Sequence, residues 1–280
     1  MQKGYILFRN RAVLACLHMN SFAKKPNISI IIPALNEEAY IARVLQSIRE
    51  QNYNGAIQVI VVDGGSTDKT KEIVQNFRMR FSDFELVDAD KGVSLARNRG
   101  AERAKHDIIL FLDADMAMPR GFMNAMVSHI PKNADFVALA SHRPISKNLL
   151  DYFFTYAFFF AIYIFRAWHP ICSGSFLLTT KRNHRKIGGF DERLKIMGED
   201  VDYGKRSIKF GARYIIWLRP QILASPRRLQ EQGRLRLAWT WVSAYWYSLF
   251  VGPLHEDSGF LYSFGSHKPE QDKRSIQKSE

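Results

Sequence analysis

The sequence is poor in cysteine, with Cys16 and Cys172 the two among 280 residues. This scarcity argues against a disulfide framework and leaves no cysteine-based zinc spacing, so a reducing, cytoplasmic setting is the simpler expectation. The first strand-like run is not followed by Gly-x-Gly-x-x-Gly, and Gly-Lys-Ser/Thr is absent. Dinucleotide-dependent oxidoreductases and P-loop enzymes are therefore not indicated.

Long hydrophobic runs are also missing. The apolar and aromatic run Tyr152–Phe165 is too short to cross a bilayer upright, so it predicts a core or interfacial helix. The basic segment Gly4–Met19 lacks a small-residue cleavage site, which argues against a signal peptide, and Met19 offers an alternative start.

Positive charge, in contrast, is abundant: the formal net charge is +13 and the pI is about 9.8. Such an excess suits nucleic acid, anionic lipid or a phosphorylated substrate equally well. The basic residues are dispersed and form no recognised nucleic-acid module, so we expect no nucleic-acid partner.

Short β-branched runs alternate with helical patterns from Asn27 onwards. Three runs read as buried strands that end at Pro33, Asp63 and Asp113. Between the first two, apolar residues recur at helical spacing behind Asn36, which we interpret as a helix cap. This order predicts an α/β fold with a doubly wound, mostly parallel sheet flanked by helices.

The predicted organisation has four parts. They are an N-terminal extension (1–26), one α/β domain (27–220), an aromatic-rich helical C-terminal extension (221–266) and a disordered tail (267–280).

Two motifs at the first strand ends suit a nucleotide. Pro33-Ala34-Leu-Asn-Glu37 leaves backbone groups and Glu37 facing the crevice that open α/β sheets form there, although an ordinary capped turn also explains it. In Asp63-Gly-Gly-Ser-Thr-Asp68 the glycines allow close approach of a ligand, and Asp63 can accept hydrogen bonds from a base or ribose.

Two further motifs suit the phosphate end of a nucleotide. The helix that begins near Ser94 offers its N-terminus and Arg97 or Arg99 to a phosphate, with a solvated basic helix as the alternative. In Asp113-Ala-Asp115 both carboxylates can converge on one hard cation such as Mg²⁺ or Mn²⁺.

A fifth motif, Gly198-Glu199-Asp200-Val-Asp202, is acidic. A transferase needs a carboxylate that removes a proton from the acceptor hydroxyl, and Asp200, with Glu199 next in line, suits that task. Acids that merely stabilise a helix N-terminus are the alternative.

These five motifs, in this order and spacing, resemble those of the family 2 glycosyltransferases of the GT-A fold, over about 27–218. The resemblance implies an inverting, metal-assisted, hexosyltransferase-like enzyme that uses a nucleoside-diphosphate sugar. It also implies that Asp200 is the catalytic base. The residues implied at the donor are Pro33, Ala34, Glu37 and Asp63 at the nucleotide, Arg97 near the nucleotide or its phosphates, Asp113 at the ribose or donor sugar, and Asp115 at the metal.

The sequence departs from processive members of that family, because Ser225-Pro-Arg227-Arg228-Leu-Gln230 stands where Gln-x-x-Arg-Trp is expected. Processive polymerisation is therefore disfavoured. By analogy of position, Arg227 or Arg228 contacts the diphosphate, or is simply solvated.

The aromatic segments Tyr152–Phe165 and Trp239–Phe250, with nearby arginines, suggest peripheral contact with the inner face of the cell membrane. A lipid-linked or cell-envelope glycan acceptor would then fit, whereas packing into the core is the alternative. Two other functions stay open, namely a non-catalytic nucleotide-sugar-binding or membrane-scaffold protein and a nucleotidyltransferase. The second would want a basic, glycine-rich loop where Pro33–Glu37 stands.

Overall fold

The computed structural model describes residues 25–166, 170–194 and 198–227, and, beyond these, residues 231, 233, 236, 239, 240, 243 and 247. The predicted tail (267–280) and nearly all of the predicted N-terminal extension (1–26) lie outside the described residues. Most of the predicted C-terminal extension (221–266) does so as well.

One eight-stranded mixed sheet organises the described chain. Its spatial order is β3-β2-β1-β4-β7-β6-β8-β5, and the first four of these strands are mutually parallel. β7 is antiparallel to β4 and β6, whereas β6 and β8 are parallel. The strands are β1 (Ile28–Ala34), β2 (Ile57–Asp63), β3 (Phe84–Asp88), β4 (Ile108–Leu112), β5 (Met116–Ala117), β6 (Phe136–Pro144), β7 (Phe176–Thr180) and β8 (Arg213–Ala224).

Seven α-helices connect these strands in the described ranges, with a 3-10 turn at Arg78–Arg80. They are α1 (Ile41–Arg49), α2 (Thr70–Phe77), α3 (Val93–Arg103), α4 (Phe122–Val127), α5 (Leu149–Phe165), α6 (Lys181–Lys186) and α7 (Glu199–Lys209).

Both faces of the central strands are buried, which explains their near-continuous apolar sequences. In β1, Ile30 and Ile32 pack into one apolar cluster with α1, whereas Ile31 packs into a second cluster with α3. The sheet therefore has a core on each side, and the predicted doubly wound α/β architecture is confirmed.

The structure differs from the sequence prediction at Asn36. We expected this residue to cap α1, but α1 begins at Ile41, and Asn36 has a left-handed backbone with φ of 55°. Its side-chain oxygen instead accepts a hydrogen bond from the backbone N–H of Thr67 at 2.9 Å. The short polar side chain of asparagine tolerates this conformation, and here it ties two loops together.

β6 and the length of β8 were not predicted. β6 covers nine residues, Phe136–Pro144, and β8 covers twelve, Arg213–Ala224. β8 thus passes through residue 220, where we expected the domain to end.

The helix α5 corresponds to the aromatic run. It has 17 residues, and its Asp151, Phe159 and Ile162 are buried. Within the part of the chain that the structure describes, no helix is both long and apolar enough to cross a membrane.

Candidate active site

The acidic residues predicted from the sequence lie at one edge of the sheet. β2, β1 and β4 are neighbouring parallel strands, so their carboxyl ends meet there. Ala34 of β1 lies opposite Asp63 of β2 in the parallel strand pairing. The N–H of Gly64 donates to the carbonyl of Ala34 at 2.8 Å. Asp113 and Asp115 follow β4 directly. Open α/β sheets bind their ligands at this edge.

Asp63 is 1% exposed and is only partly satisfied. Its Oδ2 accepts hydrogen bonds from the N–H groups of Gly65 and Ser66, at 3.0 and 2.9 Å. Its Oδ1 is buried and has no hydrogen-bond partner among the described residues. A buried carboxylate oxygen without a donor is costly, and a ligand that offers an N–H or O–H group would satisfy it.

The loops that follow β1 and β2 are tied to each other. The N–H of Asn36 donates to Ser66 Oγ at 2.9 Å, and the N–H of Glu37 donates to Thr70 Oγ1 at 2.8 Å. Pro33 and Ala34, the last residues of β1, are buried beside them. The hydrogen bonds between the two loops therefore fix the backbone that follows Pro33 and Ala34.

Arg97 lies at the centre of a buried cluster. Its guanidinium, 2% exposed, donates to Asp113 Oδ1 at 3.1 Å and to Glu199 Oε1 at 2.9 Å. It also donates to the carbonyl of Gly174 at 3.1 Å. Gly174 leaves room for it, because a Cβ at that position would lie 2.6 Å from Arg97 Nη2. Arg97, predicted near the nucleotide or its phosphates, thus binds two predicted site acids.

Asp200 is held by backbone groups in the same cluster. Its Oδ2 accepts from the N–H of Gly174 at 2.7 Å, and its Oδ1 accepts from the N–H of Val201 at 2.8 Å. Burial, followed by the charge of Glu199, raises the pKa of Asp200 to about 7, against the opposing charge of Arg97. A carboxylate with such a pKa can take and release a proton near neutral pH.

A second guanidinium, that of Arg227, joins Glu37 to Asp115. It donates to both oxygens of Glu37, at 2.9 and 3.1 Å, and to Asp115 Oδ2 at 3.3 Å. The ring of Tyr40 packs against it, with its centroid 4.7 Å away. Burial raises the pKa of Glu37 to about 7, although Arg227 opposes this shift.

The donor set suits a hard divalent cation. Asp113 and Asp115 offer carboxylate oxygens, which are the ligands that Mg²⁺ and Mn²⁺ prefer. Among the described residues no group of three or more His, Cys, Asp or Glu side chains is arranged to hold a metal ion. Asp113 and Asp115 are the residues of this edge that could hold such a cation.

The structure thus brings the predicted residues together in three adjoining groups. In the first group, Asp63 lies beside Ala34. In the second, Arg97 binds Asp113, Glu199 and the carbonyl of Gly174, and the N–H of Gly174 binds Asp200. In the third, Arg227 binds Glu37 and Asp115. Gly174 was not predicted, because a lone glycine between Ser173 and Ser175 carries no distinctive signal. Arg227 was considered only by analogy of position.

Comparisons with known proteins identify the family and the fold of this chain. The sequence profile described as glycosyl transferase family 2 matches residues 29–190. Glycosyltransferase AglE of Haloferax volcanii is 36% identical over 108 residues, which are 38% of this chain and 36% of AglE. A PGL/p-HBAD biosynthesis glycosyltransferase of Mycobacterium tuberculosis is 41% identical over 92 residues, 32% of this chain and 36% of the relative. The matched segment thus spans about a third of these curated relatives.

Solved structures share the fold. A mannosyltransferase from Pyrobaculum calidifontis in complex with GDP-Man and Mn²⁺ superposes with a TM-score of 0.62 and 22% identity, over 79% of this chain and 62% of that one. TarS of S. aureus, in complex with UDP-GlcNAc, superposes with a TM-score of 0.57 and 19% identity, over 71% of this chain and 58% of that one. The fold is therefore that of the GT-A glycosyltransferases, and the chain belongs to glycosyl transferase family 2.

Proposed function

We propose that this chain transfers a sugar from a nucleoside-diphosphate sugar to an acceptor hydroxyl, with inversion at the anomeric carbon. The observation that carries the proposal is the buried Arg97, which holds Asp113 and Glu199 together at the ligand-binding edge of the sheet. Asp200, beside Glu199, is thereby kept near the acids of the donor site. The same site then contains residues for the nucleotide-sugar donor and a carboxylate that can accept the proton of the acceptor hydroxyl.

The nucleotide is proposed to lie over the ends of β1 and β2. The unsatisfied Oδ1 of Asp63 would accept a hydrogen bond from the base or the ribose, since a carboxylate can only accept. Pro33 and Ala34 provide the buried backbone floor beside it. Related structures contain GDP-Man and UDP-GlcNAc, and the donor is proposed to be a nucleotide sugar of this kind.

The diphosphate is proposed to lie towards Asp113, Asp115 and Arg227. Five carboxylates, two of them with a pKa raised to about 7, surround the guanidinium groups of Arg97 and Arg227. A diphosphate adds more negative charge to this region, so a cation there is favoured. Mg²⁺ or Mn²⁺, held by Asp115, would stabilise the charge on the leaving diphosphate. Arg227 contacts Asp115 and is positioned to bind the same group.

Transfer needs one displacement. The acceptor oxygen attacks the anomeric carbon, the bond from that carbon to the diphosphate oxygen breaks, and the bonding electrons leave with the nucleoside diphosphate. Asp200 takes the proton of the acceptor hydroxyl. Glu199 is proposed to orient this step through its bond to Arg97.

The acceptor is proposed to be a glycan or a lipid-linked saccharide of the cell envelope, used at the inner face of the membrane. The exposed aromatic side chains of α5 support this assignment, because they offer an apolar surface on the same domain as the site.

The test is release of nucleoside diphosphate from a panel of nucleotide sugars with Mn²⁺, in the presence and absence of acceptors. We expect turnover with at least one donor, and loss of most of it in Asp115→Ala. Asp83→Ala is the matched control, because Asp83 precedes β3 at the opposite edge of the sheet. No turnover with any donor, or equal turnover in Asp115→Ala and the wild type, would contradict the proposal.

A further inference from the structure

One side of α5 presents a continuous apolar surface to solvent. The exposed residues are spaced at helical intervals, and Phe153 and Phe160 remain 65% and 67% exposed. We name this surface the α5 apolar face; it consists of Leu149, Leu150, Phe153, Tyr156, Phe160 and Ile164. Single exposed apolar residues are common in soluble proteins, but a contiguous set on one helix marks an interaction site.

The opposite side of α5 is fixed to the protein. Phe159 and Ile162 are buried, and Asp151 is buried at the first turn, where Ser146 Oγ donates to its Oδ2 at 2.5 Å. The side chain of Asn148 caps the helix by accepting from the N–H of Leu150. The apolar face is therefore the outer surface of an anchored helix.

The charges around the α5 apolar face indicate what covers it. Arg143 and Lys147 are exposed just before the helix, and Arg166 is exposed just after it. The acidic residue of the helix, Asp151, is buried and faces inwards. Apolar side chains with cations at both ends match a membrane interface, where acyl chains meet anionic headgroups. A helix of 17 residues is too short to span a bilayer upright, so it would lie in the plane of the interface.

A short series of contacts connects α5 to the candidate active site. The ring of Phe159 packs against that of His142 with centroids 4.6 Å apart. His142 Nε2 lies 3.2 Å from Ser175 Oγ, and the carbonyl of Ser175 accepts from the N–H of Asp113 at 3.1 Å. The buried side of α5 is thus connected to Asp113 through Phe159, His142 and Ser175.

We infer that the α5 apolar face docks onto an anionic lipid bilayer and so brings the site to an acceptor held in that bilayer. The inference rests on the proposed function for the acceptor, but the docking itself does not require catalysis. Arg143, Lys147 and Arg166 contact the headgroups, while Phe153 and Phe160 enter the acyl boundary.

The experiment measures co-sedimentation of the full chain with vesicles of phosphatidylcholine alone or with phosphatidylglycerol, at low and high salt. We expect binding to the anionic vesicles that weakens with salt, and at least tenfold weaker binding for Phe153→Ser/Phe160→Ser. Met79→Ser is the matched control, because Met79 is 93% exposed between α2 and β3 and should bind as the wild type does. Arg143→Glu/Lys147→Glu should also bind more weakly.

Equal binding by the wild type and the double serine variant would overturn the inference, as would equal binding to neutral and anionic vesicles. If the wild type does not bind vesicles but forms a dimer, and the serine variant is monomeric, the α5 apolar face binds a second copy of this chain instead. A large fall in melting temperature in that variant, without vesicle binding, would assign it to another segment of this chain. Nucleoside diphosphate release, measured without lipid, tests the proposed function separately.

Discussion

Arg97 connects three residues of the candidate site, because its guanidinium binds the carboxylates of Asp113 and Glu199 and the carbonyl of Gly174. We predict that Arg97→Met lowers the free energy of unfolding by about 3–5 kcal/mol, because it removes a guanidinium that is 2% exposed and pairs with the mostly buried carboxylates of Asp113 and Glu199. Chemical denaturation measures this loss. Arg99→Met is the matched control, since its partner Glu102 is exposed and such pairs contribute about 0–1 kcal/mol. Equal losses in both variants would contradict a central role for Arg97.

Asp200 should control the pH dependence of transfer. Its pKa is raised to about 7 by burial, so the ionised form that accepts a proton is populated above that value. We predict that kcat rises with pH through about 7, and that Asp200→Asn lowers kcat by about 100-fold or more. Isothermal titration with the nucleoside diphosphate should show little change in affinity.

The control for this prediction is Asp202→Asn, two residues further along α7, where the carboxylate pairs with Arg206. We expect this variant to keep the pH profile of the wild type. A pH-independent kcat in the wild type, or an unchanged kcat in Asp200→Asn, would exclude Asp200 as the base.

Individual site residues were predictable from the sequence when they end a strand. Asp63 and Asp113 follow apolar β-branched runs, so their position at the sheet edge could be derived from the pattern. The partners of Arg97 could not, because they depend on how α3 and α7 approach each other in space. The predicted contact of Arg97 with the nucleotide or its phosphates stays a prediction.

The packing of α7 is the first consequence at the scale of elements. Gly204 lies in α7 against Cys172, and a Cβ there would overlap the Cys172 sulfur. We predict that Gly204→Ala lowers the free energy of unfolding by about 1–3 kcal/mol, although alanine is the better helix former. Thermal denaturation provides the measurement.

Removal of the sulfur supplies the control. Cys172→Ala/Gly204→Ala should be more stable than the sum of the two single effects, because the overlap is relieved. Additive effects would mean that the loss of stability in Gly204→Ala does not arise from overlap with the Cys172 sulfur. Since α7 carries Glu199 and Asp200, Gly204→Ala should also lower kcat.

The elements themselves were predictable to different degrees. β1, β2 and β4 are apolar along their whole length because both of their faces are buried, and such runs are conspicuous in a sequence. β8 is exposed at Leu218 and Arg219 and is interrupted by Pro220, so its last residues resemble a loop in the sequence. β6 pairs with strands that come later in the chain, and this pairing leaves no local pattern.

At the scale of the whole molecule, the carboxylate of Asp200, the proposed base, should lower stability at high pH. The pKa of Asp200 is about 7 in the fold and about 4 in an unfolded chain, so the folded state binds the extra proton. Its contribution to stability is therefore present at low pH and is lost as pH rises from about 4 to 7. We predict that Asp200→Asn is more stable than the wild type at pH 8 by on the order of 2–4 kcal/mol.

The measurement is the difference in the free energy of unfolding between the two proteins, followed from pH 5 to pH 8. Burial lowers the pKa of His184 to about 4, so His184 makes the free energy of unfolding rise with pH. Both proteins contain His184, and its contribution therefore cancels in the difference. A constant difference over this range would contradict the raised pKa of Asp200.

The pair Glu37–Arg227 joins two residues that lie 190 positions apart in the sequence, one after β1 and one after β8. During synthesis the strands that carry Asp63, Asp113 and Asp115 emerge well before Arg227, so the acidic edge exists first without this counterion. A chain cut just before Arg227 would keep all eight strands but would leave Glu37 and Asp115 facing each other without the guanidinium between them. Completion of the proposed site therefore requires the residues that follow β8, and a partially made chain would be poorly equipped to hold a diphosphate.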